Sequence, residues 1–182
     1  MEGRQILGLA LIFCITVITP VYCQYYSETL PFKPMEEQVS YLRFFFHHTL
    51  SGKNPTAVLI ARPNITNGGE PRTPFGYLYA VDDILTTGRE PTSEVIGNAQ
   101  GMYVSSGKDD LSLVVYLDFA ITKGQFNGSS FSVFSRNPVL DIERELAVVG
   151  GRGQFRLARG FCHLKTISVN GTSGNAILLS TM

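Results

Sequence analysis

Tryptophan is absent from this chain, and so is any net charge, since 15 Lys and Arg balance 15 Asp and Glu. A neutral protein has no bulk field to gather nucleic acid or another polyanion, so no nucleic-acid partner is expected. Histidine is scarce, with three in 182 residues. His47 and His48 are adjacent and on a strand point to opposite faces, so with only His163 to add they cannot build a zinc site. No metal and no other cofactor is expected. The glycine-rich stretch Gly150-Gly151-Arg152-Gly153 is not followed by the Lys-Ser/Thr of a phosphate loop, and it lacks the third glycine of a dinucleotide fingerprint. Nucleotide binding is set aside. Amphipathic helices of useful length are missing too, which leaves the Val, Ile, Leu, Phe and Tyr residues to strands.

Cysteine is almost missing from the body of the chain. Cys14 and Cys23 lie in a start of the secretory type: Arg4, an almost wholly apolar run from Ile6 to Ile18, a break at Thr19-Pro20, and Val21-Tyr22-Cys23 at the cleavage subsites. Residues 1–23 are read as a signal peptide, 24–38 as an irregular arm and 39–182 as the folded domain. Cleavage after Cys23 leaves Cys162 alone, as a small buried hydrophobe; cleavage before it would permit a Cys23–Cys162 bridge. No later segment could span a bilayer as a helix, so no membrane association is expected and the product is extracellular. Three sequons agree with secretion, at Asn64, Asn127 and Asn170, each in a polar connection containing or followed by glycine.

Short apolar runs bounded by turns fill the rest. Strands are expected over Tyr41–Thr49, Thr56–Arg62, Phe75–Val81, Glu94–Val104 and Leu111–Ile121, then around Phe131 and Val133, from the Gly150 loop through Thr166, and over Ala176–Leu179. The cleanest alternation places Leu111, Leu113, Val115, Leu117, Phe119 and Ile121 on one face. Val139–Glu145, with mixed charge, reads as a connector. Seven or eight strands with hairpin-sized turns favour a closed all-β barrel, which leaves no exposed edge and can hold one small ligand.

Candidate site residues follow from that pocket. Beyond the glycine turn, Phe155, Leu157, Arg159 and Phe161 would share one face of a strand. Arg159 is then either a cation at a barrel mouth with its head in water, or a guanidinium inside an apolar pocket facing a ligand oxygen. Tyr103 is either half core and half hydrogen-bonded edge or a phenol that grips a ligand. Asp82-Asp83 reads as a solvated turn at a strand end, or as a carboxyl on a pocket rim.

Several ordered blocks resemble the plant dirigent proteins: Phe45-Phe46-His47-His48-Thr49-Leu50-Ser51-Gly52 with Asn54-Pro55-Thr56-Ala57-Val58, Gly97-x-Ala99-Gln100-Gly101-x-Tyr103, Phe126-Asn127-Gly128-Ser129-Ser130, the Arg136-Asn137-Pro138 turn, and Arg144-Glu145-Leu146-Ala147-Val148-Val149-Gly150-Gly151 with Phe155-Arg156-Leu157-Ala158-Arg159-Gly160. The resemblance implies an eight-stranded antiparallel barrel with a central pocket, a glycosylated homotrimer in the apoplast, and no redox centre of its own. It implies a phenolic radical, made by an external laccase or peroxidase, whose coupling is directed stereoselectively. The alternatives it carries are cyclisation of a quinone methide and a non-catalytic role in the cell wall. It transfers pocket roles to Arg159 and Tyr103, and a weaker one to Asp83. The position that is usually Asp in the family is His48 here, which makes His48 a candidate proton donor, and Gln154 stands where lignan-forming members often have Asp. By the same comparison the last strand is expected to be short.

Overall fold

Period-two alternation of apolar and polar side chains gives strands that bury one face, and here they close on themselves. The computed structural model describes residues 25–31, 36–64 and 73–182. The expected leader, with Cys23, lies outside the described residues. Residues Met1–Gln38 and Val39–Met182 form separate units, and the second carries the fold. Its strands are β1 (Arg43–His48), β2 (Ala57–Ala61), β3 (Leu78–Thr86), β4 (Val95–Ser105), β5 (Ser112–Ile121), β6 (Ser130–Pro138), β7 (Glu143–Arg152), β8 (Gly160–Val169) and β9 (Ala176–Thr181). No helix among the described residues is long and apolar enough to cross a membrane.

The sheet runs β1-β9-β8-β7-β6-β5-β4-β3 and closes by pairing β3 back onto β1, every neighbour antiparallel. Eight strands therefore make the barrel. β2 is the extra one, and it lies along the same edge of β3 that β1 uses: β1 pairs with Ile84–Thr86, and β2 with Leu78–Val81. Between them the chain leaves the sheet at Thr49 and returns at Thr56, whose amide donates to the Thr49 carbonyl at 2.8 Å. Gly97 and Gly101 in β4 serve close approach: a Cβ at either would stand 2.0 Å from a carbonyl oxygen of β5.

Inside, the predicted face of β5 points to the barrel axis, with Val115, Leu117, Phe119 and Ile121 buried. The end of the barrel near the start of β1 is filled by phenylalanines. Phe119 and Phe131 stack with ring centroids 5.0 Å apart, Phe44 packs 5.8 Å from Phe119, and Phe155 stands edge-on to Phe131 at 5.7 Å. Phe126 closes on Phe155 at 4.8 Å. Cys162 is buried and free.

Four expectations are corrected. The chain from Phe155 to Arg159 is not a strand: Gly153 takes φ 65°, a 3-10 turn spans Gly153–Phe155, and Leu157 also has positive φ at 64°. Phe155 enters the core from that turn, while Leu157 and Phe161 face solvent. The connector expected at Val139–Glu145 ends early, because β7 begins at Glu143. Asp82 and Asp83 lie in the middle of β3, not at its end. The last strand is not cut short: β9 pairs with β1 from Ala176 to Thr181, and Leu42 and Met182 exchange both backbone hydrogen bonds.

Because the phenylalanine cluster fills one end of the barrel, Phe131→Ala should open a cavity there and cost about 3–5 kcal/mol of stability. Urea unfolding measures it, and a loss below ~1 kcal/mol would show that the cluster is not closely packed.

Candidate functional site

Above the phenylalanines the barrel holds a cavity of about 380 Å³, within the range of small-ligand sites. Its wall is mostly aliphatic and aromatic, from inward positions of β3, β4, β5, β8 and β9. The polar groups on it fall into two sets.

The first set gathers around Asp83, which is fully buried on β3. One carboxylate oxygen accepts Nδ1–H of His48 at 2.8 Å, and the other accepts the Thr56 hydroxyl at 2.5 Å. These partners come from the end of β1 and the start of β2, so the carboxylate bridges the gap where the two strands part along β3. Thr56 is itself held, since its Oγ1 accepts the Thr49 amide at 2.9 Å. With Nδ1 committed to Asp83, Nε2 of His48 faces the Tyr103 hydroxyl at 3.4 Å, a long contact of the kind that tightens when a ligand is bound. Tyr103 stacks on Tyr79 with centroids 4.8 Å apart and planes 19° from parallel. Burial, with Tyr79 and Asp83 nearby, pushes the Tyr103 phenol well above its ordinary value of 10.0, so it enters any reaction as a proton-bearing donor.

The second set sits across the barrel. β7 is four strands from β3 in either direction around the ring. Its Arg144 is 5% exposed, faces the cavity, and donates to the Asp141 carbonyl and, at 2.8 Å, to Thr166 Oγ1. Burial lowers the affinity of this guanidinium for its proton, countered by Asp141 and Cys162. Arg144 Nε, Asn137 Oδ1 and Ser105 Oγ are buried with no hydrogen-bond partner among the described residues, and all three residues line the cavity. Buried polar atoms are rarely left so.

Of the residues marked in the sequence, His48, Asp83 and Tyr103 are therefore brought together, and Arg159 is not with them. Arg159 is exposed in the turn before β8, at the phenylalanine-filled end and outside the cavity wall. Gln154 lies at that same end, its amide donating to Ser129 Oγ at 3.1 Å. The physical reason is the 3-10 turn, which breaks the alternation that would have carried Arg159 inward. The guanidinium in the cavity is that of Arg144. A signal for it was present: Arg144, Leu146 and Val148 fall in period two, with Glu143 and Glu145 on the outer face.

Removal of the Asp83 carboxylate leaves the half-buried His48 imidazole and the Thr56 hydroxyl without their acceptor. Asp83→Ala should cost about 1–3 kcal/mol, with Asp83→Asn costing less because it keeps an acceptor oxygen. Chemical denaturation of both variants checks this, and an unchanged midpoint for Asp83→Ala would contradict the bridging role.

Comparison with known proteins gives the family and the fold. Residues 39–182 match the sequence profile of the family described as Dirigent-like protein. Dirigent protein 15 of Arabidopsis thaliana is 53% identical over 158 residues, covering 85% of this chain and 83% of that protein. Pterocarpan synthase 1 of Glycine max is 41% identical over 177 residues, covering 94% and 90%. The solved structure of a pterocarpan synthase dirigent protein superposes with a TM-score of 0.74 at 39% identity, covering 82% of this chain and 86% of that one.

Proposed function

The chain belongs to the dirigent family, and from that premise we propose that it binds a phenolic quinone methide in the barrel cavity and closes a ring on it, without oxidising it. The observation that carries this reading is the pair of facing polar sets in an apolar cavity: Asp83–His48–Tyr103 on one wall and Arg144 on the other. Relatives named pterocarpan synthase support a cyclising activity over one limited to steering radicals.

Ring closure on a quinone methide is an isomerisation, so it needs no co-reactant. A hydroxyl oxygen of the ligand forms the new C–O bond at the methide carbon with one of its lone pairs. The exocyclic π pair moves through the ring onto the carbonyl oxygen, which becomes a phenolate. The phenolate takes up one proton from water and the hydroxyl gives one up, so the atoms balance overall. His48 receives the hydroxyl proton at Nε2, the nitrogen left open by the bond to Asp83, while the Asp83 carboxylate stabilises the imidazolium. Arg144 faces the oxygen where negative charge grows, and a fixed cation in an apolar cavity acts there more strongly than it would in water. The rest of the wall holds one conformer of the ligand, which sets the face of attack and hence the enantiomer.

The family resemblance also supports secretion to the apoplast and a trimer. The outer sheet offers a surface for assembly: Val58, Ala80, Met102, Tyr116 and Phe134 are successive register partners across β2 to β6. Met102, Tyr116 and Phe134 are 48%, 40% and 55% exposed. Tyr116→Glu should turn a trimer into a monomer with an unchanged circular dichroism spectrum, as read by sedimentation velocity. A monomeric wild type would rule out this assembly.

The activity is tested by generating a phenolic quinone methide that carries a free hydroxyl in the presence of the secreted protein, with and without a one-electron oxidant, and resolving the products by chiral chromatography. Turnover to one enantiomer without oxidant is expected. His48→Ala and Arg144→Ala should each lower kcat/KM by about 10²–10³-fold, while Arg159→Ala should leave it unchanged. Enantiomeric excess seen only with oxidant and coniferyl alcohol would replace this reading by stereoselective radical coupling beside a laccase or peroxidase. No effect in either assay would leave the non-catalytic wall role. Loss of activity in Arg159→Ala would return the site to the glycine turn.

A further inference from the structure

The phenylalanine cluster fills one end of the barrel, so among the described residues the approach to the cavity lies at the other. Four turns frame that mouth and contribute lining residues: Leu50 after β1, Leu111 before β5, Leu140 after β6 and Gly174 before β9. The last of these turns begins with Asn170-Gly171-Thr172, a sequon, and Val169 just before it also lines the cavity.

We propose that Asn170 carries an N-linked oligosaccharide that stands over the mouth of the cavity and slows the passage of bulky ligands more than small ones. The inference rests on the cavity being the ligand site. Asn170 and Thr172 are both solvent-exposed. The Asn170 amide oxygen accepts the N–H groups of Thr172 and Ser173, each at 3.0 Å, and this fixes the side chain. Its Nδ2, the atom that carries the sugar, makes no hydrogen bond among the described residues. The base beneath it is rigid. Asn170 N donates to Asn175 O at 2.9 Å, and Gly174 N to Asn170 O at 2.8 Å. The Asn175 side chain then ties this turn to the one after β1, accepting from the amides of Leu50 at 2.9 Å and Ser51 at 3.2 Å and donating to Ser51 O at 3.3 Å. Ser51 Oγ donates back to the Ser173 carbonyl at 2.9 Å. A glycan rooted here is held at the rim by the same bonds that shape it.

The sequon at Asn127 provides the contrast, because it lies at the phenylalanine-filled end with its Ser129 buried and hydrogen-bonded to the Gln154 amide. A glycan at that end is far from the mouth in the chain of contacts and should leave ligand entry alone.

The test uses full-length protein secreted from plant cells, as wild type, Thr172→Ala, Asn170→Gln and Asn127→Gln. Thr172→Ala removes the sequon while keeping the Asn170 side chain and its bonds, so an effect of the sugar is separated from one of the turn. Glycopeptide mass spectrometry should find an oligosaccharide on Asn170 in the wild type. Stopped-flow tyrosine fluorescence then follows entry and exit of guaiacol, with one ring, and quercetin, with three. A steric obstacle changes both rate constants together, so Thr172→Ala should speed quercetin entry and exit by roughly threefold or more with Kd unchanged. Guaiacol rates should not move, and Asn127→Gln should match the wild type for both ligands. An unmodified Asn170 overturns the proposal, as does a glycan whose removal leaves the quercetin rates unchanged while both ligands still bind. Failure of both phenols to bind any form removes the cavity as a ligand site, and this inference falls with it.

Discussion

The buried carboxylate of Asp83 is the constraint on which both the fold and the site depend. β3 pairs with β1 over one half of its edge and with β2 over the other, and Asp83 stands where the first ladder ends and the second begins. A carboxylate with nothing but aliphatic neighbours would be costly at this depth. Here His48 and Thr56, the residues that end one strand and precede the other, both donate to it. The seam is thus closed by these side chains together with main-chain bonds, Asp82 N to the Thr56 carbonyl at 2.8 Å and Thr56 N to the Thr49 carbonyl at 2.8 Å. The His48–Asp83 bond also orients the imidazole, leaving Nε2 toward Tyr103 and the cavity. On the proposed mechanism one carboxylate carries both a structural and a chemical role, so a change made for one is felt by the other.

Across the barrel the guanidinium of Arg144 is held by Thr166 and the Asp141 carbonyl. The topology separates the two polar sets by the full width of the ring, which keeps a proton acceptor and a fixed cation from quenching each other in a direct ion pair. What lies between them is mostly apolar, so their fields are weakly screened inside the cavity. An aromatic ligand with an oxygen at each end matches this arrangement, since its ring faces the aliphatic wall and its oxygens meet the two sets. The phenylalanine cluster fills the barrel below the cavity, and turns line the cavity at its other end.

Much of this was legible in the sequence. Leu111 to Ile121 alternates without a break, and it forms the inward face of β5 as period two requires. The absence of helical periodicity and the hairpin-sized turns pointed to a closed barrel, and Tyr103, Asp83 and His48 could be marked before their proximity was known. Their mutual bonds could not, because Asp83 and His48 are 35 residues apart and meet only through the closure of β3 on β1. Two errors have opposite causes. Arg159 follows Phe155 and Leu157 in perfect alternation, but Gly153 and Leu157 adopt positive φ and the alternation never becomes a strand. Glu143-Arg144-Glu145 looked like a charged connector, yet its alternation is real and puts the arginine inside. Charge alone is a poor guide to exposure when the neighbours two residues on are Leu146 and Val148.

The central claim is that an oxygenated aromatic ligand spans the cavity between His48 and Arg144. A structure of the protein bound to a stable, already cyclised pterocarpan tests it most directly. The account predicts the ring system inside the barrel, with one oxygen within about 2.7–3.2 Å of the His48–Tyr103 pair and another as close to the Arg144 guanidinium. A ligand seated on the outer sheet or at the turn of Arg159, with the cavity wall unchanged, would contradict it.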